Sequence, residues 1–208
     1  MISSGVVTDT ELLSAWRGGD LECGRTLFER HFDGVRRFFA NKLDHGAEDM
    51  VQRTFLACVE GRDRFREESS FRTYLFAIAH NLLGKHFRAR LHRRDDVDID
   101  ELSVVDMGAS PISQLEVRAE ARLLLQGLRQ IPLSSQMLLE LYFWEELSGR
   151  ELGLVLGVPE DTARSRLRRA KRELEAAIRR FEASPAELES TVSDLEGWAT
   201  SVRSQLGR

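Results

Sequence analysis

Residues 148–172 of this 208-residue chain read SGRELGLVLGVPEDTARSRLRRAKR, and this segment decides the fold of the C-terminal half. Leu152 and Leu156 recur at helical spacing, as expected of the core-facing side of a short helix. Gly157 can adopt the left-handed conformation that ends such a helix, and Pro159 suits the start of the next one. The segment therefore predicts a helix-turn-helix.

The second helix of this pair carries a dense group of arginines. Leu167, Ala170 and Leu174 are spaced to face the core, which turns several of the arginines toward solvent. Outward arginines on this helix can reach guanine edges and phosphates in a major groove of DNA. Basic helical hairpins that never touch DNA are also common, so the pattern alone leaves a structural interpretation open.

Helical periodicity continues outward from this segment in both directions. Only four prolines and two cysteines interrupt the chain, and the apolar residues favour helix over strand. We expect Ser134 to cap the helix before the helix-turn-helix. The predicted fold is all-α, with two helical domains at residues 1–94 and 114–183, a flexible acidic linker at 95–113, and a C-terminal amphipathic helical extension at 184–208.

Charge is distributed in blocks, although the formal net charge is only −4. Counting from the sequence, residues 71–94 sum to +6, residues 95–106 to −6, and residues 162–180 to +6. Two basic segments separated by an acidic one are typical of contact with nucleic acid. Solvated helix faces would give the same blocks, and charge by itself does not separate the two interpretations.

Several classes of protein are disfavoured by the sequence. No apolar run approaches the roughly 20 residues that span a bilayer, and the first residues lack the features of a signal peptide, so we expect a cytoplasmic location. Cys23 and Cys58 form no disulfide framework or zinc cluster. Phosphate-binding, nucleophile and metal-ligand motifs are absent, so we expect no enzyme activity, no cofactor and no metal.

The chain resembles RNA polymerase sigma factors of the extracytoplasmic-function type. Its motifs follow the order of that family and cover nearly all of residues 8–181. The matching segments are DTELL (9–13), GGD (18–20), AEDMVQRTF (47–55), FRTYLFAIAHN (71–81) and PEDTARSRLRRA (159–170).

The resemblance implies three groups of functional residues. Asp49, Gln52 and Phe55 would dock on the clamp helices of the largest polymerase subunit, unless Phe55 belongs wholly to the domain core. The loop at residues 62–70 and Asn81 would hold a flipped base of the minus-ten element. The minus-ten set is Tyr74, Asn81, Lys85, Arg88, Arg90 and Arg93, and the minus-thirty-five set is Thr162, Arg164, Ser165, Arg166, Arg168 and Arg169.

The implied function is a transcription initiation factor that directs core polymerase to promoters and assists strand opening. The implied partners are core RNA polymerase, through its clamp helices and flap, promoter DNA and an anti-sigma factor. A dimeric helix-turn-helix regulator is the alternative, but it leaves the aromatic and basic helix near Tyr74 unexplained. Arg53, Tyr74, Asp161 and Arg168 depart from the residues frequent in the family, so we expect an unusual clamp contact and promoter preference.

Overall fold

The computed structural model describes residues 7–43, 45–91, 102–105, 119–180 and 197. Within these residues, regular secondary structure is helical apart from one isolated bridge, in agreement with the predicted all-α class. The helices are α1 (Asp9–Arg17), α2 (Leu21–Ala40), α3 (Ala47–Gly61), α4 (Phe71–Leu91), α5 (Ala119–Gln130), α6 (Leu133–Phe143), α7 (Gly149–Leu156) and α8 (Glu160–Ile178), with a 3-10 turn at Arg62–Arg64.

Helices α1 to α4 form the first domain. Thr8 and Glu11 make a reciprocal capping box at the start of α1, and Asp20 caps α2 by accepting two backbone N–H bonds. Leu27, Phe39 and Leu75 are fully buried between the helices. Burial of a leucine or phenylalanine side chain stabilises a fold by about 1.5–3 kcal/mol, so this core holds the four helices together.

Helices α5 to α8 form the second domain, together with a short piece of the linker. Val104 is fully buried, and Ser103 forms an antiparallel bridge with Pro132. The Leu133 N–H donates to the Leu102 carbonyl at 2.8 Å. Residues 102–105 of the predicted flexible linker therefore lie against the second domain, while the rest of that linker is outside the described residues.

The predicted cap at Ser134 is wrong. Helix α6 begins one residue earlier, at Leu133, and Pro132 occupies the N-cap without a side-chain hydrogen bond. The Leu133 N–H is one of the donors in the first turn that have no acceptor within the helix, and the Leu102 carbonyl from the linker accepts from it. A contact from 31 positions upstream thus replaces a local cap.

The two domains pack against each other, with α4 lying against α7. Two buried ion pairs join the first domain to the second: Lys42 with Glu140, and Arg37 with Glu145 at 2.9 Å. The Glu140 carboxylate also accepts from Asn41 at 3.1 Å and Gln136 at 2.9 Å.

This interface depends on charged groups without access to water. The side chains of Lys42 and Glu140 are 0% and 2% exposed. Burial lowers the pKa of Lys42, and the carboxylates of Glu140 and Glu145 oppose that shift. Such a pair holds well while both partners are present and becomes strongly unfavourable when one is removed.

Candidate nucleic-acid and polymerase interfaces

The helix-turn-helix predicted from residues 148–172 is formed by α7 and α8. Ser148 and Glu151 make a capping box at the start of α7, and Gly157 ends the helix with φ of 66°. A Cβ on Gly153 would lie 2.7 Å from the Val158 carbonyl oxygen, so a side chain there would push the turn open. Pro159 directly precedes α8. These local features fix the angle between the two helices.

Helix α8 presents its arginines to solvent, as predicted. Ala163, Ala170 and Leu174 are buried against the domain. Arg164 pairs with Glu160 at 2.6 Å and Arg169 with Glu173 at 2.7 Å, both one turn apart on the helix. The predicted minus-thirty-five residues Arg164, Ser165, Arg166, Arg168 and Arg169 are all exposed, and Thr162 is half-buried.

Arg168 is free to meet DNA. It is exposed and forms no ion pair or hydrogen bond with any other described residue. Ser165, Arg168 and Arg172 follow each other at spacings of three and four, so they share one face opposite the buried alanines. Sequence reasoning did not select Arg172, although the same helical spacing would have found it.

The basic face predicted on α4 is also exposed. Asn81, Lys85 and Arg88 are exposed and succeed each other by four and three residues, which places them along one stripe of the helix. Tyr74 lies two turns before Asn81 on the same stripe. Of the remaining predicted minus-ten residues, the Arg90 side chain and Arg93 lie outside the described residues.

Tyr74 is stacked on Phe65, with ring centroids 4.4 Å apart and the planes at 15°. Partial burial raises the pKa of the Tyr74 hydroxyl, so the phenol stays protonated at neutral pH. Phe65 comes from the loop at residues 62–70, and sequence reasoning assigned no role to its ring. The aromatic surface at the start of α4 therefore consists of two rings.

Two of the three predicted polymerase-binding residues border an open apolar groove between α2 and α3. Gln52 and Phe55 line this groove from α3, opposite Phe28 and Phe32 of α2. Phe55 is half-buried, with its ring 4.8 Å from Phe28 and 6.1 Å from Phe32. Phe32 is 46% exposed. Phe55 thus contributes both to packing and to an open surface.

Asp49 is placed differently from Gln52 and Phe55. It is exposed on α3, outside the groove lining, and its carboxylate binds Arg53 at 2.8 Å. Arg53 is the residue that departs from the family pattern in this motif. Its guanidinium partly neutralises the carboxylate that the resemblance assigns to the polymerase contact.

Two family models match the chain, one in each domain. The model described as Sigma-70 region 2 matches residues 27–93, and the model described as Sigma-70, region 4 matches residues 121–174. The ECF RNA polymerase sigma-E factor of Salmonella typhi is 26% identical over 178 residues, covering 81% of this chain and 93% of that protein. The chain belongs to the extracytoplasmic-function sigma factors. It is a transcription initiation factor that binds RNA polymerase.

Further comparisons agree with this family. The RNA polymerase sigma-H factor of Pseudomonas aeruginosa is 28% identical over 141 residues, covering 64% of this sigma factor and 72% of that protein. The sigma factor RpoE of Bartonella quintana, solved in complex with the anti-sigma factor NepR, has a TM-score of 0.58 at 20% identity and covers 75% and 96% of the two chains. CnrH in complex with the cytosolic domain of CnrY has a TM-score of 0.58 at 24% identity and covers 82% and 97%. At these identities the two structures support the fold.

The described residues of the sigma factor include neither a membrane-spanning helix nor a metal-binding cluster. No described helix is long and apolar enough to cross a membrane. Among the same residues, no cluster of three or more histidine, cysteine, aspartate or glutamate side chains could hold a metal ion. Cys23 and Cys58 are both free thiols, and burial raises the pKa of Cys58 to about 12.

Proposed function

We propose that this sigma factor reads the minus-thirty-five element with the exposed face of α8 and the minus-ten element with α4 and the loop at residues 62–70. The observation that carries the proposal is the exposed stripe of Asn81, Lys85 and Arg88, which continues from the stacked Tyr74 on a single helix. Aromatic rings stack on unpaired bases, and basic side chains hold the adjacent phosphates. A regulator that binds only duplex operator DNA has no use for this combination.

The groove between α2 and α3 is the proposed docking site for core polymerase. Its exposed phenylalanine, Phe32, and the polar Gln52 line the same groove, and together they offer an apolar anchor and a hydrogen-bonding group. Buried aromatic anchors carry a large share of the energy at protein interfaces. The occupant that we propose for this groove is a helix of the clamp, as the resemblance implies.

Promoter binding requires the two domains to separate. Elements named for positions minus ten and minus thirty-five lie roughly 25 base pairs apart, or roughly 85 Å along B-form DNA at about 3.4 Å per base pair. Helices in contact lie about 8–10 Å apart, so the axes of α4 and α8, which both pack against α7, approach within roughly 20 Å. The packed arrangement cannot reach both elements, and we propose that it is the form of the free protein.

The DNA assignment is tested by selecting promoters from a randomised library with core polymerase and the purified sigma factor. Arg168→Ala should lose about 1–3 kcal/mol of discrimination at one base pair of the upstream element. Arg179→Ala is the matched control, because Arg179 is an exposed arginine just after α8 that pairs with Glu175 at 3.0 Å. An unchanged promoter profile for Arg168→Ala would remove this residue from the reading set.

The polymerase assignment is tested by measuring the affinity of the sigma factor for core polymerase. Phe32→Ser should weaken binding by more than about 1 kcal/mol, because it removes the exposed anchor of the groove. Leu21→Ser is the matched control: Leu21 is 75% exposed at the start of α2 and lies outside the groove. Equal affinities for both variants would contradict docking in this groove.

Two further parts of the proposal concern the cellular location of the protein and its regulation by a partner. The family consists of non-enzymatic transcription factors, and we propose that this member acts without catalytic activity of its own, in the cytoplasm. The solved structure of RpoE from Bartonella quintana contains the anti-sigma factor NepR, which supports an anti-sigma factor as a partner of this chain. Recovery of such a protein with the tagged sigma factor from its native cells, and its release on induction, tests this part.

A further inference from the structure

Arg17 of α1 binds the loop at residues 62–70 at several points. Arg17, at the end of α1, donates from Nη2 to the Arg62 carbonyl at 2.9 Å and also to the Phe65 carbonyl. Its Nε lies 3.3 Å from the same Arg62 carbonyl, and its Nη1 pairs with the Glu67 carboxylate. One guanidinium therefore holds two loop carbonyls and one loop side chain, at three positions of the loop.

The attachment is reciprocal at the base of the loop. Arg62 donates to the Trp16 carbonyl at 3.2 Å, and its guanidinium lies 5.0 Å from the centroid of the Trp16 ring. Trp16 is itself buried in the core of the first domain. The position of the loop is thus fixed relative to the core through α1, although α1 lies more than forty residues before it in sequence.

The Arg17 contact bears directly on the aromatic pair at the start of α4. The Phe65 carbonyl accepts from Arg17, and the Phe65 ring covers one face of Tyr74 at 4.4 Å. The Tyr74 hydroxyl lies close to Gly61, where an added Cβ would clash with it. Because Tyr74 is seated between Gly61 and Phe65, displacement of the Phe65 backbone moves the ring that defines one side of this surface.

Glu67 pairs with Arg17 while its backbone is held in an unfavourable conformation. Its backbone lies in the left-handed region, with φ of 59°, which is uncommon for a residue other than glycine. A non-glycine residue remains in this region when surrounding contacts determine its position. The ion pair between Glu67 and Arg17 is a contact of that kind, and it draws the middle of the loop toward α1.

We infer that Arg17 is a positioning residue for base selection at the minus-ten element, and that it acts through Phe65 and Glu67 without touching DNA. This inference rests on the proposed function of the loop and adds a residue from outside it. Arg17 is suited to the role because its planar fork donates to several acceptors in fixed directions. Lysine carries the same charge on a single flexible nitrogen and cannot reproduce this geometry.

The experiment measures base preference at every position of the minus-ten and minus-thirty-five elements, using randomised promoters, core polymerase and full-length protein. For Arg17→Lys we expect the preference at one minus-ten position to fall at least about fivefold, the lower end of the discrimination that a good bidentate base contact provides. Preference at the minus-thirty-five element and affinity for core polymerase should stay within about twofold of wild type. Glu67→Gln should shift the same minus-ten position in the same direction by a smaller factor.

The matched control is Arg30→Gln. Arg30 also anchors α1, through Asp9 at 2.6 Å and the Val7 carbonyl at 2.9 Å, but it forms no hydrogen bond or ion pair with the described loop residues. If Arg30→Gln alters minus-ten preference as much as Arg17→Lys does, α1 acts only as general support and the inference is overturned. A uniform loss of transcription at all promoters with Arg17→Lys would overturn it as well.

Failure of the inference and failure of the proposed function give different results. If wild-type protein selects bases at the minus-ten element and Arg17→Lys selects them equally well, the inference fails and the proposed function stands. If wild-type protein shows no minus-ten preference at all with core polymerase, the proposed function of the loop fails and the inference fails with it. Circular dichroism and urea unfolding of each variant establish that the fold is retained.

Discussion

Removal of Glu140 should open the contact between the two domains. The Glu140 side chain is 2% exposed and accepts hydrogen bonds from Lys42, Asn41 and Gln136. Glu140→Leu leaves the fully buried Lys42 ammonium without its carboxylate, and loss of one partner of a buried pair costs about 3–5 kcal/mol. The Asn41 and Gln136 amides lose an acceptor too, at about 1–3 kcal/mol for each group left unsatisfied.

The protein can avoid this cost by separating its domains. Lys42 lies two residues after the end of α2 in the first domain, and Glu140 belongs to α6 of the second, so separation returns the ammonium to water. The measured loss is therefore limited by the free energy that holds the domains together. We expect Glu140→Leu to expand the chain while each domain stays folded.

Small-angle scattering and limited proteolysis measure this expansion. A compact chain of 208 residues has a radius of gyration of about 17 Å, and separated domains should give a larger value. The matched variant is Lys42→Met with Glu140→Leu, in which both charges are gone. Replacing a buried pair by apolar residues of similar volume is often neutral or stabilising, so this double variant should stay closer to wild type than the single one.

The same variants test the link between opening and promoter binding. A protein whose competent form is only a fraction of the population binds with an affinity reduced by that fraction. Glu140→Leu should therefore bind a promoter fragment with core polymerase at least as tightly as wild type. If Glu140→Leu retains the wild-type radius of gyration, protease resistance and unfolding free energy, the buried pair does not hold the domains together.

Two further predictions concern stability. Gly153→Ala should destabilise the second domain by about 1–3 kcal/mol in urea unfolding, because the new Cβ meets the Val158 carbonyl oxygen. In the control Gly84→Ala, the new Cβ meets only the movable end of the Arg88 side chain, so this variant should be neutral or stabilising. Equal effects of the two substitutions would show that the turn yields freely. Burial lowers the pKa of His31 despite the opposing effect of Asp9, so the unfolded chain takes up this proton first as the pH falls below about 6.5. The free energy of unfolding should therefore decrease by at most about 1.4 kcal/mol per pH unit, and His31→Gln should reduce this decrease between pH 7.5 and 5.5. An unchanged decrease in His31→Gln would show that the contact is unimportant.

Much of the candidate site could be predicted because it depends on local spacing. The outward arginines of α8 and the stripe of Asn81, Lys85 and Arg88 follow from helical periodicity, and the structure leaves all of them exposed. Periodicity assigns a residue to a face of its helix without any knowledge of the neighbouring helices. The roles of these residues toward DNA remain predictions.

Other parts of the site could not be predicted because they depend on chain segments far apart in sequence. Arg17 reaches Phe65 across 48 positions. Phe32 of α2 and Phe55 of α3 face the same groove only because the two helices pack side by side. The ring of Phe65 covers Tyr74 because the loop turns back toward α4. No periodic pattern in the sequence encodes these distances.

The sequence by itself determined most of the helices and the helix-turn-helix, because caps and turns use hydrogen bonds between residues at most a few positions apart, and its motifs indicated the sigma family. Glu151 bonds back to Ser148 across three positions, and Gly157 ends α7 by its own backbone conformation. Only the tertiary structure decided how the domains meet. Lys42 and Glu140, 98 positions apart, become partners because packing of the helices removes both charges from water, and the opposite charge of the partner compensates for the lost hydration.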